Sequence, residues 1–108
     1  MPSEITPREL AARLGARAPT YLLDVRQPWE HDLVALPGSV LMPLDALPSR
    51  FGELAPPPDA LVVTYCHHGV RSLNAAMFLA MRGWVDVASL AGGIDAWAQD
   101  IDPSLPRY

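Results

Sequence analysis

Four short apolar runs, alternating with segments of helical character, constrain the fold of this chain more than any other feature. They are Tyr21-Leu22-Leu23-Asp24-Val25, Val40-Leu41-Met42, Leu61-Val62-Val63-Thr64-Tyr65 and Val85-Asp86-Val87-Ala88-Ser89-Leu90. The third is β-branched and nearly continuous, as in a strand buried on both faces. Helix signals fall between them. Thr6-Pro7-Arg8-Glu9 offers a cap, a proline for the first helical position and a glutamate three residues after the cap. Leu10 and Leu14 then share a face, and Gly15 is expected to end that helix. Asp45 to Phe51 fits a short helix closed by Gly52. Ser72 to Arg82, closed by Gly83, carries Leu73, Ala76, Met77, Phe78, Leu79 and Ala80 on more than one face, which predicts a largely buried helix. Gly92-Gly93 breaks into a last helix through Ile94, Ala96 and Trp97. Strands alternating with helices imply right-handed βαβ units, an α/β fold with a parallel sheet covered on both faces. Ligands then belong at the carboxyl ends of the strands.

Composition narrows the function. A chain of 108 residues suits one domain, residues 1–108. With 50% hydrophobic and 19% charged residues it can build a core, which excludes wholesale disorder. No apolar run approaches ~18 residues, so no membrane span is expected. Met1-Pro2-Ser3-Glu4 lacks the basic and apolar stretches of an export signal, and a cytoplasmic location is expected. A net charge of −4 argues against nucleic acid as a partner. One cysteine excludes an intramolecular disulfide and a multi-cysteine zinc site. All the basic residues are arginine, so a lysine Schiff base is excluded. Pro56-Pro57-Pro58 reads as a stiff surface connector. Asp102 to Tyr108, with two prolines, cannot be helical throughout; it wraps the surface or covers an edge.

The single cysteine sits where chemistry is expected. Cys66 follows the best strand directly, and Cys66-His67-His68-Gly69-Val70-Arg71-Ser72 leads into the best helix. Gly69 permits backbone conformations other residues resist. A tight turn there aims several N–H groups at one point, and the helix start adds unpaired N–H groups and a positive dipole end. Together these make an anion site, and a cysteine at its centre should ionise at a lowered pKa. Arg71 adds charge or braces the loop. Ser72 caps the helix or donates to a bound anion. The predicted species is a thiolate nucleophile in a cup that stabilises negative charge.

These residues resemble the active-site loop C-x-x-G-x-R-S of the rhodanese-like sulfurtransferases in single-domain form. Leu23-Asp24-Val25-Arg26-Gln27-Pro28-Trp29-Glu30 resembles that family's D-V-R-x-x-x-E segment. Leu36-Pro37-Gly38-Ser39 is similar to its I-P-G-A motif, and Leu90-Ala91-Gly92-Gly93-Ile94-Asp95-Ala96-Trp97 to its L-x-G-G-x-x-A-W motif. The four occur in family order. The resemblance implies a three-layer domain with about five parallel strands and helices on both faces. It implies transfer of a sulfane sulfur from a donor such as thiosulfate to cyanide or a thiol, through a Cys66 persulfide. The acceptor is a small thiol or a sulfur-relay partner protein. No metal or organic cofactor is implied. Val34-Ala35 stands where the family often has Gly-His, which should alter packing more than activity. His67-His68 replaces the Arg-Lys pair of the vertebrate thiosulfate:cyanide enzymes, leaving substrate preference open.

His67 and His68 are expected to line the rim, partly protonated near pH ~6.5 and attractive to anions. Three consecutive residues converge poorly on one tetrahedral ion, so metal binding with Cys66 is not expected. Asp24 and Arg26 lie at another strand end: Arg26 either faces the substrate mouth or, the favoured reading, pairs with Glu30 or Asp24 to fix its loop. Trp29, Trp84 and Trp97 read as core and rim packing, and His31 with Asp32 as a surface pair. A phosphatase or arsenate reductase on the same fold carries Cys plus five residues before Arg, whereas four residues separate Cys66 from Arg71. A sulfur-carrier module would use the same loop. A non-catalytic scaffold would have no need of the cysteine.

Overall fold

The computed structural model describes residues 3–108, so the reading of Met1 and Pro2 lies outside the described residues. Five parallel strands form one sheet: β1 Ser3–Ile5, β2 Thr20–Asp24, β3 Val40–Leu41, β4 Leu61–Tyr65 and β5 Val87–Leu90, in the order β1-β5-β4-β2-β3. The helices are α1 Pro7–Gly15, α2 Pro28–Leu33, α3 Leu47–Arg50, α4 Val70–Met81 and α5 Gly93–Asp100, with a 3-10 turn over Phe51–Glu53. This is the α/β architecture expected. Among the described residues no helix is long and apolar enough to cross a membrane.

Side-chain alternation along the strands divides the core in two. Leu23, Val25, Val62 and Cys66 face α3 and α4, packing on Leu47, Ala75, Ala76 and Leu79. Leu22, Val63 and Tyr65 face α1 and α5, packing on Leu10, Ile94 and Trp97. Buried on both sides, β4 needs apolar residues nearly throughout, which is why its run is so easily read. The two-residue period also puts the Cys66 side chain on the α4 face.

Helix starts follow local chemistry. At α1, Glu9 N–H donates to Thr6 Oγ1 at 3.1 Å and Thr6 N–H to Glu9 Oε1 at 2.9 Å, a reciprocal cap worth ~1 kcal/mol. Its end differs from expectation. Gly15 is the last helical residue, and the left-handed position falls on Arg17, with φ 56°. Ala18 N–H reaches Arg13 O and Arg17 N–H reaches Leu14 O, a Schellman closure without glycine. Leu14 is exposed instead of sharing the buried face of Leu10. The Asp45 to Phe51 segment is helical only over Leu47–Arg50, and the 3-10 turn runs through Gly52 rather than stopping there. Val85 and Asp86 lie outside β5, with Val85 exposed. Strand β1 and helix α2 complete the architecture: β1 is an edge strand registered Ser3 to Ala88 and Ile5 to Leu90.

The connection leaving β2 runs through α2 to β3 on one side, and the connection leaving its neighbour β4 runs through α4 to β5 on the other. A crevice opens at such a switch, at the carboxyl ends of the strands. There Asp24 of β2 stands in register with Tyr65 of β4. The turns that follow these two residues build the site.

Candidate active site

Helix α4 begins at Val70, two residues before its expected start, and Gly69 is its N-cap with φ 102°. That left-handed conformation suits glycine. A Cβ there would also stand 3.1 Å from Gly92 N and 3.4 Å from Leu90 O. The tight entry turns donors back onto the cysteine. Gly69 N–H donates to Cys66 Sγ at 3.1 Å and Ser72 N–H at 3.3 Å. Ser72 Oγ lies 3.5 Å from the sulfur. Ser72 therefore is no helix cap: it is the third residue of α4, buried, and its hydroxyl shares a 2.8 Å hydrogen bond with Ser89 Oγ. Cys66 is only 1% exposed, but the amides beside it point inward, onto the sulfur.

The outer side of the loop is pinned by α5. Ile94 N–H donates to Cys66 O at 2.9 Å and Asp95 N–H to His67 O at 3.1 Å. With those carbonyls drawn outward, the loop's next amides are free to face the cup. Gly93, at φ 65°, has to be glycine: a Cβ would collide with the carbonyl oxygens of Cys66 and His67.

Arg71 braces the loop. Its Nη1 and Nη2 donate to Glu30 Oε1 and Oε2 at 2.7 and 3.0 Å. Glu30 also accepts Gln27 N–H at 3.0 Å and the Tyr108 hydroxyl at 2.7 Å. The Arg71 bonds, reinforced by those of Gln27 and Tyr108 and opposed by burial, hold the Glu30 carboxyl down at about 2.

Arg26 is not at the mouth. It is fully buried, with Nε and Nη2 on the two oxygens of Asp24 at 2.9 and 2.7 Å. Its remaining donors go to Val34 O and to Tyr108 Oη, the latter at 2.7 Å. Its partner is thus Asp24, while Glu30 belongs to Arg71. His31 bonds Asp24 through Nδ1 at 2.8 Å rather than pairing with Asp32.

His67 and His68 differ from expectation as well. Their rings stack at 3.9 Å, and the other face of His67 stacks on Tyr108 at 3.9 Å with an interplanar angle of 8°. Burial, aided by neighbouring His68, pushes the His67 pKa below its usual value, so His67 is not the cationic rim group expected. His68 is exposed, 3.8 Å from Asp95. His67, His68 and Asp95 come close to one another, but stacked imidazoles send their in-plane lone pairs side by side instead of toward one ion. Trp97 is core, while Trp29 is 62% exposed and edge-on to Tyr108. A surface groove, lined by Pro56 to Pro58, Trp84 and Val85, lies at the amino ends of β4 and β5, away from Cys66.

The description "rhodanese-like domain" matches residues 6–100. The chain belongs to the rhodanese-like domain family. A sulfurtransferase of Allochromatium vinosum is 36% identical over 99 residues, 92% of this chain and 91% of that protein. The probable adenylyltransferase/sulfurtransferase MoeZ of Mycobacterium tuberculosis is 40% identical over 106 residues; these are 98% of this chain but 27% of MoeZ, so the chain spans about a quarter of that relative. A rhodanese-related protein from Thermoplasma volcanium shares the fold with a TM-score of 0.79 at 27% identity, over 96% of this chain and 95% of that one.

In this rhodanese-like domain the four sequence motifs meet at one end of the sheet. The Leu36 to Ser39 turn is tied to it by the buried Tyr65 hydroxyl, which accepts Leu36 N–H at 3.2 Å and bonds Ser39 Oγ at 2.8 Å. Three groups have roles here that were not assigned from sequence, Glu30 having been expected only as a possible partner of Arg26. Glu30 had a signal, as the last position of the D-V-R-x-x-x-E segment. Ser89 and Tyr108 had none, because their partners lie far away along the chain.

Proposed function

We propose that this rhodanese-like domain moves a sulfane sulfur through a persulfide on Cys66. The observation that carries the reading is the pair of N–H groups, with a hydroxyl beside them, converging on a buried sulfur. They give a thiolate the solvation that burial removes. Cys66 Sγ⁻ attacks the outer sulfur of a donor such as thiosulfate. A new S–S bond forms, the donor's S–S bond breaks, and sulfite leaves with the electron pair. The anionic terminal sulfur is held by the cup formed by Gly69, Val70, Arg71 and Ser72, with His67 and His68 at the rim. Cyanide or an acceptor thiolate then takes the outer sulfur and returns Cys66 as thiolate. Two half-reactions on one nucleophile predict ping-pong kinetics. Asp24 and Arg26 support the site from beneath. A cytoplasmic setting, where thiols stay reduced, suits this chemistry.

A second reading, a carrier serving a partner enzyme, draws on the charge pattern at the mouth. Arg71 is paired with Glu30 and Arg107 with Asp95, so the charges there largely cancel. Flanking them, Trp29 and Val70 are 62% and 72% exposed. A neutral mouth bordered by apolar side chains favours a protein-borne persulfide over a free dianion.

Mass spectrometry after exposure to thiosulfate tests the proposal. The protein should gain one sulfur, about 32 Da, and Cys66→Ala should gain none. Loading followed by negligible turnover on cyanide selects the carrier. An unchanged wild-type mass with both thiosulfate and a persulfide donor overturns both readings.

A further inference from the structure

The segment after α5 returns to the site. Arg107 pairs with Asp95 at 3.0 Å, and Leu105 and Tyr108 pack against the α1–α5 face of the core. Tyr108 makes three kinds of contact there. Its hydroxyl accepts from Arg26 Nη1 at 2.7 Å and donates to Glu30 Oε2 at 2.7 Å. It thereby joins two ion pairs, Asp24–Arg26 inside and Glu30–Arg71 at the rim. Its ring lies flat on His67, and the Trp29 ring meets it edge-on at 5.8 Å.

Each contact has a consequence. Without the hydroxyl, a fully buried guanidinium loses an acceptor and Glu30 loses a donor, so the carboxylate that aims Arg71 is held on one side only. Without the ring, one face of His67 opens to water. His67 belongs to the same turn as Cys66, so its freedom becomes the loop's freedom.

We propose that Tyr108 is a positioning residue of the Cys66 site: its hydroxyl ties the Glu30–Arg71 pair at the rim to the buried Asp24–Arg26 pair, and its ring holds His67 against the active-site loop. Tyr108 touches no reacting atom. It fixes the rim through Glu30 and His67 so that the donor meets a prepared mouth. This inference rests on the sulfur-transfer reading, but part of its test does not.

The test compares wild type with Tyr108→Phe and Tyr108→Ala, all confirmed folded by circular dichroism. The first readout is His67 titration by NMR. The charged and titratable groups facing His67 are His68, Arg71, Glu30, Asp95 and Tyr108. In Tyr108→Ala His67 loses the ring-current contribution of Tyr108 and its midpoint rises, because desolvation is the chief cause of its depression. Tyr108→Phe keeps the stack and the low midpoint. The second readout is alkylation of Cys66 by iodoacetamide, which should be faster in both variants as the rim loosens, roughly three-fold or more in Tyr108→Ala. The third is sulfur loading from thiosulfate. Its half-saturation concentration should rise roughly three-fold or more in both variants, with the limiting rate held within about two-fold.

Should Tyr108→Ala fail to fold, Tyr108→Phe decides through loading and alkylation: an unchanged half-saturation, or without loading an unchanged alkylation rate, overturns the proposal. A folded Tyr108→Ala with wild-type His67 titration and wild-type Cys66 reactivity overturns it as well. If wild type takes up no sulfur, the sulfur-transfer reading fails, and the NMR and alkylation results still decide the role of Tyr108.

Discussion

Two neighbouring turns of this molecule start alike and end differently. The β2–α2 turn and the β4–α4 turn both leave the carboxyl end of a central strand, side by side in register, and both run straight into a helix. In the first, every principal donor meets a strong oxygen acceptor. Arg26 is absorbed by Asp24, Val34 O and Tyr108, and Gln27 N–H by Glu30. In the second, Gly69 and Ser72 N–H groups meet only a sulfur, an acceptor much weaker than oxygen unless it is charged. A turn that completes its own charges is structural. A turn whose donors converge on one weak acceptor is ready for an anion.

The contrast is broken most severely at Asp24. Asp24→Ala leaves the Arg26 guanidinium buried without its carboxylate and takes a partner from His31. Urea unfolding should show a loss of ~3–5 kcal/mol, much of the stability of a domain this size. A loss below ~1 kcal/mol would mean that the pair is not the structural anchor described here.

Glu30 connects the two turns, and pH sharpens its part. Its carboxyl is held at about 2 in the folded protein, against 4.5 ordinarily. The folded state therefore keeps Glu30 charged where the unfolded chain binds a proton. Its stabilising contribution is complete above about pH 4.5 and is lost as pH falls toward about 2. Stability measured across that window should fall less steeply in Glu30→Gln than in wild type. Parallel curves for the two proteins would assign the acid sensitivity to other carboxylates.

The smallest effect is expected inside the cup. Ser72→Ala keeps the backbone donor to Cys66 but removes the hydroxyl beside the sulfur and leaves Ser89 without its partner. A hydrogen bond of this kind is worth ~1 kcal/mol, so sulfur loading should slow by several-fold with little change in fold. A rate equal to wild type would reduce the cup to its two amides.

Legibility in the sequence followed the range of the interactions. Strand β4 is sandwiched between helices and shows this in its composition, and α1 declares its start through Thr6, Pro7 and Glu9. Helix α2 repeats that pattern in Pro28 and Glu30, yet it is only six residues long and shows no apolar face. Strand β1 carries one apolar residue and is held by backbone pairing to β5, which side chains do not encode. The Cys66 loop was legible because its geometry is local: a strand end, Gly69 and a helix start. The partners of Arg71 and Arg26 were not, since Glu30 lies 41 residues from Arg71 and Tyr108 lies 82 from Arg26. Charge alone could not choose among the possible pairs. His67 was misjudged for a related reason: burial pushes its pKa down, and part of that burial comes from the Tyr108 ring, 41 residues away.

The bonds from Ile94 and Asp95 to the carbonyls of Cys66 and His67 carry a consequence for biosynthesis. Cys66 and Gly69 leave the ribosome before Gly93, Ile94 and Asp95, so the clasp that shapes the cup is made after the loop it clasps. Until that clasp closes, the carbonyls of Cys66 and His67 lack their α5 partners, and the cup around the sulfur is not yet held in shape.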